Sequence, residues 1–233
     1  MPSWNIHIHH AEAVLRDPSL GGKVRDPDAF LLGNCLPDLY VGYMVPNCSH
    51  LIPYRITHFT EPGPLPEPHY WEFWNEYALP PIAERRKADD LVLGAWAHLA
   101  ADFAYNHAFN EFLARRGMKP SDAIRIKKQN DYDAYGKRLG ISSIPQVSPM
   151  VLRECAAFPQ YRIDEPDVRA MADVMGGIVE AAGSIGPASD HVYAFLTEEL
   201  LEQSREAAEA LIARGLSAFF NGDMESPGAR PQG

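Results

Sequence analysis

A histidine and an aspartate interrupt an otherwise apolar stretch in the middle of this chain. Between Leu91 and Tyr105, the only ionisable side chains besides the terminal tyrosine are His98 and Asp102. A stretch that is apolar on all sides predicts a helix buried in a core. Residues four apart share a helical face, so the two side chains are expected one turn apart. A buried carboxylate without compensation costs several kcal/mol, so Asp102 needs a metal ion, a basic side chain or His98 itself as its partner.

Most of the other histidines lie in the first half of the chain. Each one alone is typical of a surface or hydrogen-bonded residue, but imidazole and carboxylate groups together suit zinc and similar divalent ions. Their joint arrangement with Asp38 and Asp102 makes a metal ion the best expected partner. The eight histidines of the first half are His7, His9, His10, His50, His58, His69, His98 and His107, and only His191 lies beyond them.

Composition narrows the class of protein. A chain of 233 residues is long enough for one large domain with a substantial core. Its formal net charge of -10, from 31 acidic and 21 basic residues, argues against general binding to nucleic acid or anionic membranes through a basic face. Three cysteines without a CxxC motif make a disulfide framework unexpected and favour the cytoplasm. No signal peptide and no transmembrane segment are expected.

Hydrophobic periodicity predicts an all-α protein with seven to nine helices, because strand signals are limited to a short alternation over residues 5–9. Residues 35–68 contain seven prolines and are expected to form a long irregular connection, which in a compact domain is more often functional than idle. We expect one helical metal-binding domain over residues 1–220 and a disordered, Gly- and Pro-rich tail over 221–233. The helices are predicted at 10–16, 27–34, 69–78, 89–116, 121–138, 149–157, 165–182 and 187–220.

Four short motifs in the first 110 residues resemble the bacterial zinc-dependent phospholipase C family, whose all-helical fold is related to that of P1-type nucleases. Each motif is weak alone, but the four occur in the family's order. They are Met-Pro-x-x-x-x-His7 at the start, Gly33-Asn-Cys-Leu-Pro37-Asp38, Thr57-His58-Phe59, and Gly94-x-x-x-His98-x-x-x-Asp102.

The resemblance implies a site and a reaction. It implies that one or two divalent ions, expected to be zinc, are held by His7, Asp38, His58, His98 and Asp102, with Asp102 able to bridge two ions. Two such ions support hydrolysis of a phosphodiester or phosphomonoester by an activated water molecule, with a small-molecule or lipid phosphoester as substrate. Asp38 is then either a ligand or the base that positions the water.

The chain also departs from the family's pattern. The family's central helix continues with a histidine about four residues past the aspartate, where this chain has Asn106 followed by His107. On an ideal helix His107 lies about 180° from His98, so we expect it outside the coordination shell, with Asn106 a polar neighbour of the site. The family's later His-x-x-x-Glu is missing, and only Asp131 and Asp133 lie in the matching region. One or two ions are therefore expected rather than three.

Alternative interpretations stay open at this point. The chain could be a non-catalytic relative in which a remaining metal ion is structural or binds a ligand. A phosphohydrolase of the His-Asp dyad type ranks low because the sequence contains no His-Asp dipeptide. The aromatic residues Tyr70, Trp71, Phe73 and Trp74 fit a core stripe better than a substrate pocket, and the cluster around Lys127 and Lys128 fits a solvated helix face better than a phosphate site.

Overall fold

The computed structural model of this chain describes residues 2–84, 89–183 and 192–231, and every regular element in those ranges is helical. Three short 3₁₀ turns, Gly21–Lys23, Leu36–Asp38 and Ser226–Gly228, complete the elements. The α-helices in chain order are α1 Trp4–Arg16, α2 Pro27–Gly33, α3 Tyr54–Thr57, α4 Tyr70–Phe73, α5 Leu79–Ala83, α6 Asp90–Arg115, α7 Asp122–Gly136, α8 Pro149–Ala156, α9 Glu165–Gly183 and α10 Glu198–Phe220.

The predicted all-α class is confirmed for the described residues. Helices α4 and α5 are joined by one π-helical turn, Trp74–Ala78, so the ten segments amount to nine continuous helices. Local signals fix several boundaries: Asp26 caps α2 by accepting a hydrogen bond from the Ala29 amide, and Gly117, at φ +63°, follows the end of α6. The alternation over residues 5–9, the main strand signal, falls inside α1.

Helix α6 is the centre of the fold. It packs against α2 on one side and α10 on another, and its residues from Asp90 to Asp102 are all buried. The α2 contact is a backbone-to-backbone approach, because a Cβ atom on Gly94 would overlap the Phe30 carbonyl and one on Gly33 would overlap the Leu91 carbonyl. Within the described ranges no helix, α6 included, is long and apolar enough to cross a bilayer.

The last helix begins later than its sequence pattern suggests. The Thr197 hydroxyl accepts a hydrogen bond from the Leu200 amide, and this cap starts α10 at Glu198 rather than at residue 187. Residues 192–197 are not helical, and residues 184–191, including His191, lie outside the described ranges.

The segment after α10 folds back onto the core, whereas its composition suggests disorder. Trp74 and Trp96 donate hydrogen bonds from their indole nitrogens to the carbonyls of Met224 and Pro227, at 2.8 and 3.3 Å. The Asn75 amide donates to the Gly228 carbonyl at 3.1 Å. Buried indole N–H groups need acceptors, and this segment supplies them, which composition alone does not reveal.

Candidate metal centre

Four separate elements bring the five predicted ligands together. His7 comes from the first turn of α1, Asp38 from the 3₁₀ turn after α2, His58 from the C-cap of α3, and His98 and Asp102 from α6. Every one of these side chains is buried, with at most 2 % of its surface exposed. We call these five residues the candidate centre.

Four of the five residues present donor atoms at the spacing of a zinc site. The Nε2 atom of His58 lies 3.1 Å from His98 Nε2, 3.5 Å from Asp38 Oδ1 and 3.5 Å from Asp102 Oδ2. His98 Nε2 lies 3.9 Å from Asp102 Oδ2 and 4.0 Å from Asp38 Oδ2. Four donors around a zinc ion with bonds of about 2.0–2.2 Å are about 3.3–3.6 Å apart. The observed separations bracket that range, and the donor atoms of Asp38, His58 and His98 all lie within 4.8 Å of one another, so these three residues are spaced to hold a divalent ion. We call the side chains of Asp38, His58, His98 and Asp102 the four-donor group.

The two facing Nε2 atoms of His58 and His98 lie 3.1 Å apart. His98 Nδ1 lies 2.8 Å from the Asn34 carbonyl, which only accepts, so this nitrogen carries a proton. His58 Nδ1 lies 2.7 Å from Thr57 Oγ1, which can accept from this nitrogen or donate to it. Two bare nitrogens at 3.1 Å would repel, so either a proton or a cation lies between the two Nε2 atoms.

His7 forms a further group of possible donors with His98 and Asp102. Its ring stacks on that of His98 with centroids 3.9 Å apart, and its Nε2 atom lies 3.3 Å from Asp102 Oδ1. Neither atom of this contact has hydrogen-bond geometry, and both are buried without a partner in the described part of the chain. Asp102 therefore turns one oxygen toward the four-donor group and the other toward His7, as a bridging carboxylate does. The donor atoms of His7, His98 and Asp102 all lie within 4.8 Å of one another, which is close enough for these three residues to share an ion.

The protonation states favour metal binding. Burial, followed by the charge of His98, lowers the pKa of His7 to about 4, and burial lowers the pKa of His58 well below its usual value. Burial raises the pKa of Asp102, but the contacts with His7 and His98 outweigh it and bring that pKa below its usual value. Neutral imidazoles and an ionised carboxylate are the forms in which these groups bind metal.

Asp38 has a different environment from Asp102. Its Oδ2 atom accepts a hydrogen bond from the Trp4 indole at 3.0 Å, while Oδ1 has no hydrogen-bond partner among the described residues. Burial raises the pKa of Asp38 to about 6, partly opposed by the charge of His98. The Trp4 hydrogen bond fixes one carboxylate oxygen and leaves the other directed at His58.

The candidate centre is closed to solvent by Tyr54. The Tyr54 hydroxyl donates a hydrogen bond of 3.1 Å to Asp102 Oδ2, and its ring stacks on His58 with centroids 3.8 Å apart. Two surface clefts of about 330 and 320 Å³ occur elsewhere on the described surface, and no residue of the candidate centre lines either. Tyr54 was not identified from sequence, although its position one turn before His58 is a signal that could have found it.

His107 and Asn106 both point away from the candidate centre. The His107 side chain is half exposed, and its ring nitrogens lie 3.3 Å from Glu67 and 3.8 Å from Glu111. The Asn106 side chain is buried, but it donates to the Pro66 carbonyl at 2.8 Å and accepts from Lys128 Nζ at 2.7 Å. Helix α6 continues unbroken through these residues, so His107 lies on a different face from His98, as the helical spacing predicts. Asn106, which we expected to be a polar neighbour of the candidate centre, is bonded to Pro66 and Lys128 instead.

Lys128 contradicts the expectation of a solvated helix face. It is 1 % exposed and is held by Asn106, with its ammonium group 5.3 Å from the ring centroids of Phe109 and Tyr132. Burial lowers its pKa to about 8. Helix α7 has too few apolar side chains to form a regular pattern. The sequence therefore did not indicate that Lys128 is buried.

Asp131 has a structural role instead of completing a further site. Its carboxylate accepts hydrogen bonds of 2.7–2.8 Å from the backbone amides of Ala194, Phe195 and Leu196. Asp133 lies apart from it and accepts a hydrogen bond from Gln129 at 3.1 Å. The aromatic residues Tyr70, Trp71, Phe73 and Trp74 are buried in the core, as the core-stripe interpretation predicts.

The remaining histidines of the described chain lie outside the candidate centre. His9 and His10 face Glu209 at 3.5 and 4.0 Å, and His69 lies 3.0 Å from Glu72. His50 stacks on Tyr40 with centroids 4.0 Å apart. None of these four belongs to the five residues that the motifs identify.

Comparison with known proteins adds no relative to these observations. No family model matches the chain, no curated protein matches it, and no solved structure matches it. The resemblance to zinc-dependent phospholipase C therefore depends on the four motifs alone.

Proposed function

We propose that this protein is a metal-dependent phosphoesterase that resembles zinc-dependent phospholipase C and hydrolyses a phosphodiester or a phosphomonoester. The observation that carries the proposal is the convergence of His58 and His98, whose Nε2 atoms lie 3.1 Å apart, with the carboxylates of Asp38 and Asp102. Buried polar atoms are normally paired, but His7 Nε2, Asp38 Oδ1 and Asp102 Oδ1 have no hydrogen-bond partner among the described residues, and a divalent cation would supply one.

The roles of the residues follow from their contacts. His58, His98 and Asp102 hold the ion, while the Asn34 carbonyl and Thr57 contact the Nδ1 atoms of the two imidazoles and orient them. Asp38 either completes the ligand set or accepts the proton of the attacking water, with the Trp4 indole fixing its orientation. When bound, a divalent ion supplies a lowered pKa for that water and polarises the phosphoryl oxygens.

The number of ions follows from the donors. Two groups of three residues have donor atoms close enough to hold an ion, Asp38–His58–His98 and His7–His98–Asp102, and because the groups share His98 they support one or two ions rather than three. Zinc is the proposed metal because three imidazoles and two carboxylates, without a buried cysteine in the ligand set, match its preferred nitrogen and oxygen ligands.

The test combines metal analysis with turnover. Untagged protein purified without chelators is analysed for zinc and other divalent metals and then assayed with a chromogenic phosphodiester and phosphomonoester. We expect about one to two metal ions per chain, and turnover that chelation removes and zinc restores. His69→Ala is the matched control, because His69 belongs neither to the candidate centre nor to any other group of described residues whose donor atoms are close enough to share an ion. Metal-free protein, or turnover that survives chelation, would contradict the proposal.

A structural metal is the second candidate function, and one observation favours it. All five side chains are buried, four donors come from the protein, and closed four-ligand zinc sites are typically structural. On this alternative, removing the ion lowers the melting temperature, and neither phosphoester is turned over at any zinc concentration.

A further inference from the structure

One side chain separates the candidate centre from the surface. Tyr54 reaches inward with two contacts: its hydroxyl donates to Asp102 Oδ2 at 3.1 Å, and its ring covers the His58 imidazole at 3.8 Å. Tyr54 is not one of the five proposed ligands. Its hydroxyl donates to Asp102 Oδ2, which is the oxygen that lies nearest to His58 and His98 and that a bound ion would contact.

The other sides of the candidate centre are closed by the core. His7 lies on a buried face of α1, and His98 and Asp102 lie on the most buried stretch of α6. Asp38 is held from the α1 side by Trp4, which is 1 % exposed. An ion or a substrate that approaches from any of these directions would have to separate packed helices.

The side that carries Tyr54 is different, because α3 is a four-residue helix at the surface. Ile56 in the same helix is 46 % exposed, and Arg55, Ile56 and Phe59 line the cleft of about 330 Å³ on the outer side of α3. Besides the Tyr54 hydroxyl, three hydrogen bonds tie residues 52–59 to distant parts of the described chain: Gln160 Nε2 donates to the Ile56 carbonyl at 2.9 Å, the Ile52 amide to the Tyr40 carbonyl at 2.9 Å and the His69 amide to the Phe59 carbonyl at 3.2 Å. Thr57 and His58 are fully buried, whereas Arg55 and Ile56 are exposed, so the solvent-facing side of α3 is where local opening costs least.

We propose that Tyr54 is a removable cover of the candidate centre, and that displacement of its phenol opens the path by which the ion, and then a phosphoester, reaches Asp102 and His58. The part concerning the phosphoester rests on the proposed function. Tyr54 is a positioning residue in this scheme: in the closed state it holds Asp102 Oδ2 and shields His58, and in the open state it releases both.

Two substitutions separate the hydroxyl from the ring. Tyr54→Phe keeps the stacking on His58 and removes only the hydrogen bond to Asp102, and because the ring remains it tests the cover without endangering the fold. Tyr54→Ala removes both contacts. Tyr43→Ala is the matched control, since Tyr43 precedes the same segment, is 82 % exposed and makes none of these contacts.

The first measurement is the rate at which the metal leaves. Protein loaded with one equivalent of Co²⁺ is mixed with excess chelator, and loss of the cobalt absorption is followed by stopped flow. A hydrogen bond to a charged group and a stacked ring are lost in Tyr54→Ala, so we expect release at least about tenfold faster than in the native protein, with Tyr54→Phe intermediate. Tyr43→Ala releases cobalt at the native rate. Equal release rates in all four proteins would overturn the proposal.

The second measurement needs no metal and therefore separates the cover from the proposed function. Metal-free protein is treated with diethyl pyrocarbonate, and modification of His58 is quantified by peptide mass spectrometry. We expect His58 to react slowly in the native protein and in Tyr43→Ala, and at least about tenfold faster in Tyr54→Ala. If no protein takes up cobalt but His58 becomes reactive in this way, the proposed function fails while the cover stands. Equal reactivity of His58 in the native protein and both Tyr54 variants overturns the cover.

Discussion

The ammonium group of Lys128 lies 2.7 Å from the amide oxygen of Asn106, one helical turn beyond Asp102 on α6. Both side chains are buried, and the Asn106 amide nitrogen is committed to the Pro66 carbonyl. This hydrogen bond joins α7 to α6 and places a positive charge in the interior behind the candidate centre. At the position where the phospholipase C family has a further histidine, this chain has Asn106, which is hydrogen-bonded to Lys128 and to the Pro66 carbonyl.

A double-mutant cycle on this pair should show strong coupling. Asn106→Leu leaves the Lys128 ammonium buried without a hydrogen-bond acceptor and is expected to cost about 3 kcal/mol or more of the free energy of unfolding. Lys128→Met leaves the Asn106 oxygen unpaired and should cost about 1–3 kcal/mol. The double variant should lose at least about 1 kcal/mol less than the sum. Urea denaturation of the four proteins measures this, and simple additivity would show that the hydrogen bond contributes nothing.

Removal of His107 should leave the metal content unchanged. Its imidazole is half exposed and faces Glu67 and Glu111, on the side of α6 away from His98. His107→Ala is therefore expected to bind as many ions per chain as the native protein, whereas His98→Ala, on the same helix, should bind fewer. Metal analysis of both variants checks this. Loss of one ion in His107→Ala would show that α6 breaks near Asn106 in the loaded protein.

Only two of the candidate ligands could be paired from spacing alone. His98 and Asp102 are four residues apart in an apolar stretch, which predicts a buried helix with both side chains on one face. His7, Asp38 and His58 were named because their motifs resemble those of the phospholipase C family, and local spacing does not predict that they meet. Their convergence on α6 depends on the tertiary packing of α1, the turn after α2 and the end of α3, which a single sequence does not specify.

The residues that hydrogen-bond to the candidate ligands were not predictable from the sequence. Tyr54, Trp4 and the Asn34 carbonyl act through contacts between residues that are far apart in sequence: Trp4 bonds Asp38 across 34 positions and Asn34 bonds His98 across 64. A single sequence does not show which residues that are far apart along the chain come into contact. Lys128 is the clearest case, because a lysine in a polar helix indicates solvent exposure, and only tertiary packing against Phe109 and Tyr132 overrides that preference.

The close approach of α2 and α6 makes Gly94 sensitive to substitution. A Cβ atom there would overlap the Phe30 carbonyl and lie 2.9 Å from the Asn34 amide nitrogen. Gly94→Ala should separate the two backbones, cost about 2–3 kcal/mol of stability and draw the Asn34 carbonyl away from His98 Nδ1. We therefore expect weaker metal binding together with a lower melting temperature.

Gly177→Ala is the control for this substitution. Gly177 lies within α9 with no atom within 4 Å of the added Cβ, so alanine should be neutral or stabilise the protein by up to about 1 kcal/mol through helix propensity. Thermal denaturation and zinc titration of both variants give the comparison. Equal melting temperatures for Gly94→Ala and Gly177→Ala would mean that the helices do not pack as closely as described.

His10 should make the stability of the metal-free protein depend on pH. Burial, followed by the charge of His7, lowers the pKa of His10 to about 3, and its two ring nitrogens have no hydrogen-bond partner in the described chain. The unfolded chain has the usual pKa near 6.5 and binds the proton more readily. The contribution of neutral His10 is therefore complete above about pH 6.5 and is lost as the pH falls toward 3.

His10→Gln removes this titration. In chelator, the native free energy of unfolding should fall between pH 6 and 4.5 more steeply than that of His10→Gln, by up to about 1.4 kcal/mol per pH unit. Urea denaturation at several pH values measures both slopes. Parallel slopes would show that His10 is solvated or paired in the folded state.

Asp102 should couple metal binding to stability. It is the one residue that faces both His7, through Oδ1 at 3.3 Å, and the four-donor group, through Oδ2 at 3.5 Å from His58. Asp102→Asn keeps the size of the side chain but removes the negative charge that offsets a divalent ion. We expect at least about tenfold weaker zinc binding, and loss of the rise in melting temperature that zinc gives the native protein.

Asp131→Asn is the matched control for Asp102, because Asp131 is equally buried but accepts three backbone amides instead of facing the candidate centre. This variant should lose stability with or without zinc, since an amide accepts these hydrogen bonds less well than a carboxylate. Its zinc affinity should stay at the native value. Isothermal titration with zinc and thermal denaturation, each done on both variants, separate the two roles. If Asp102→Asn bound zinc as tightly as Asp131→Asn, Asp102 would not be a ligand, and the ion would have to be held by Asp38, His58 and His98 alone.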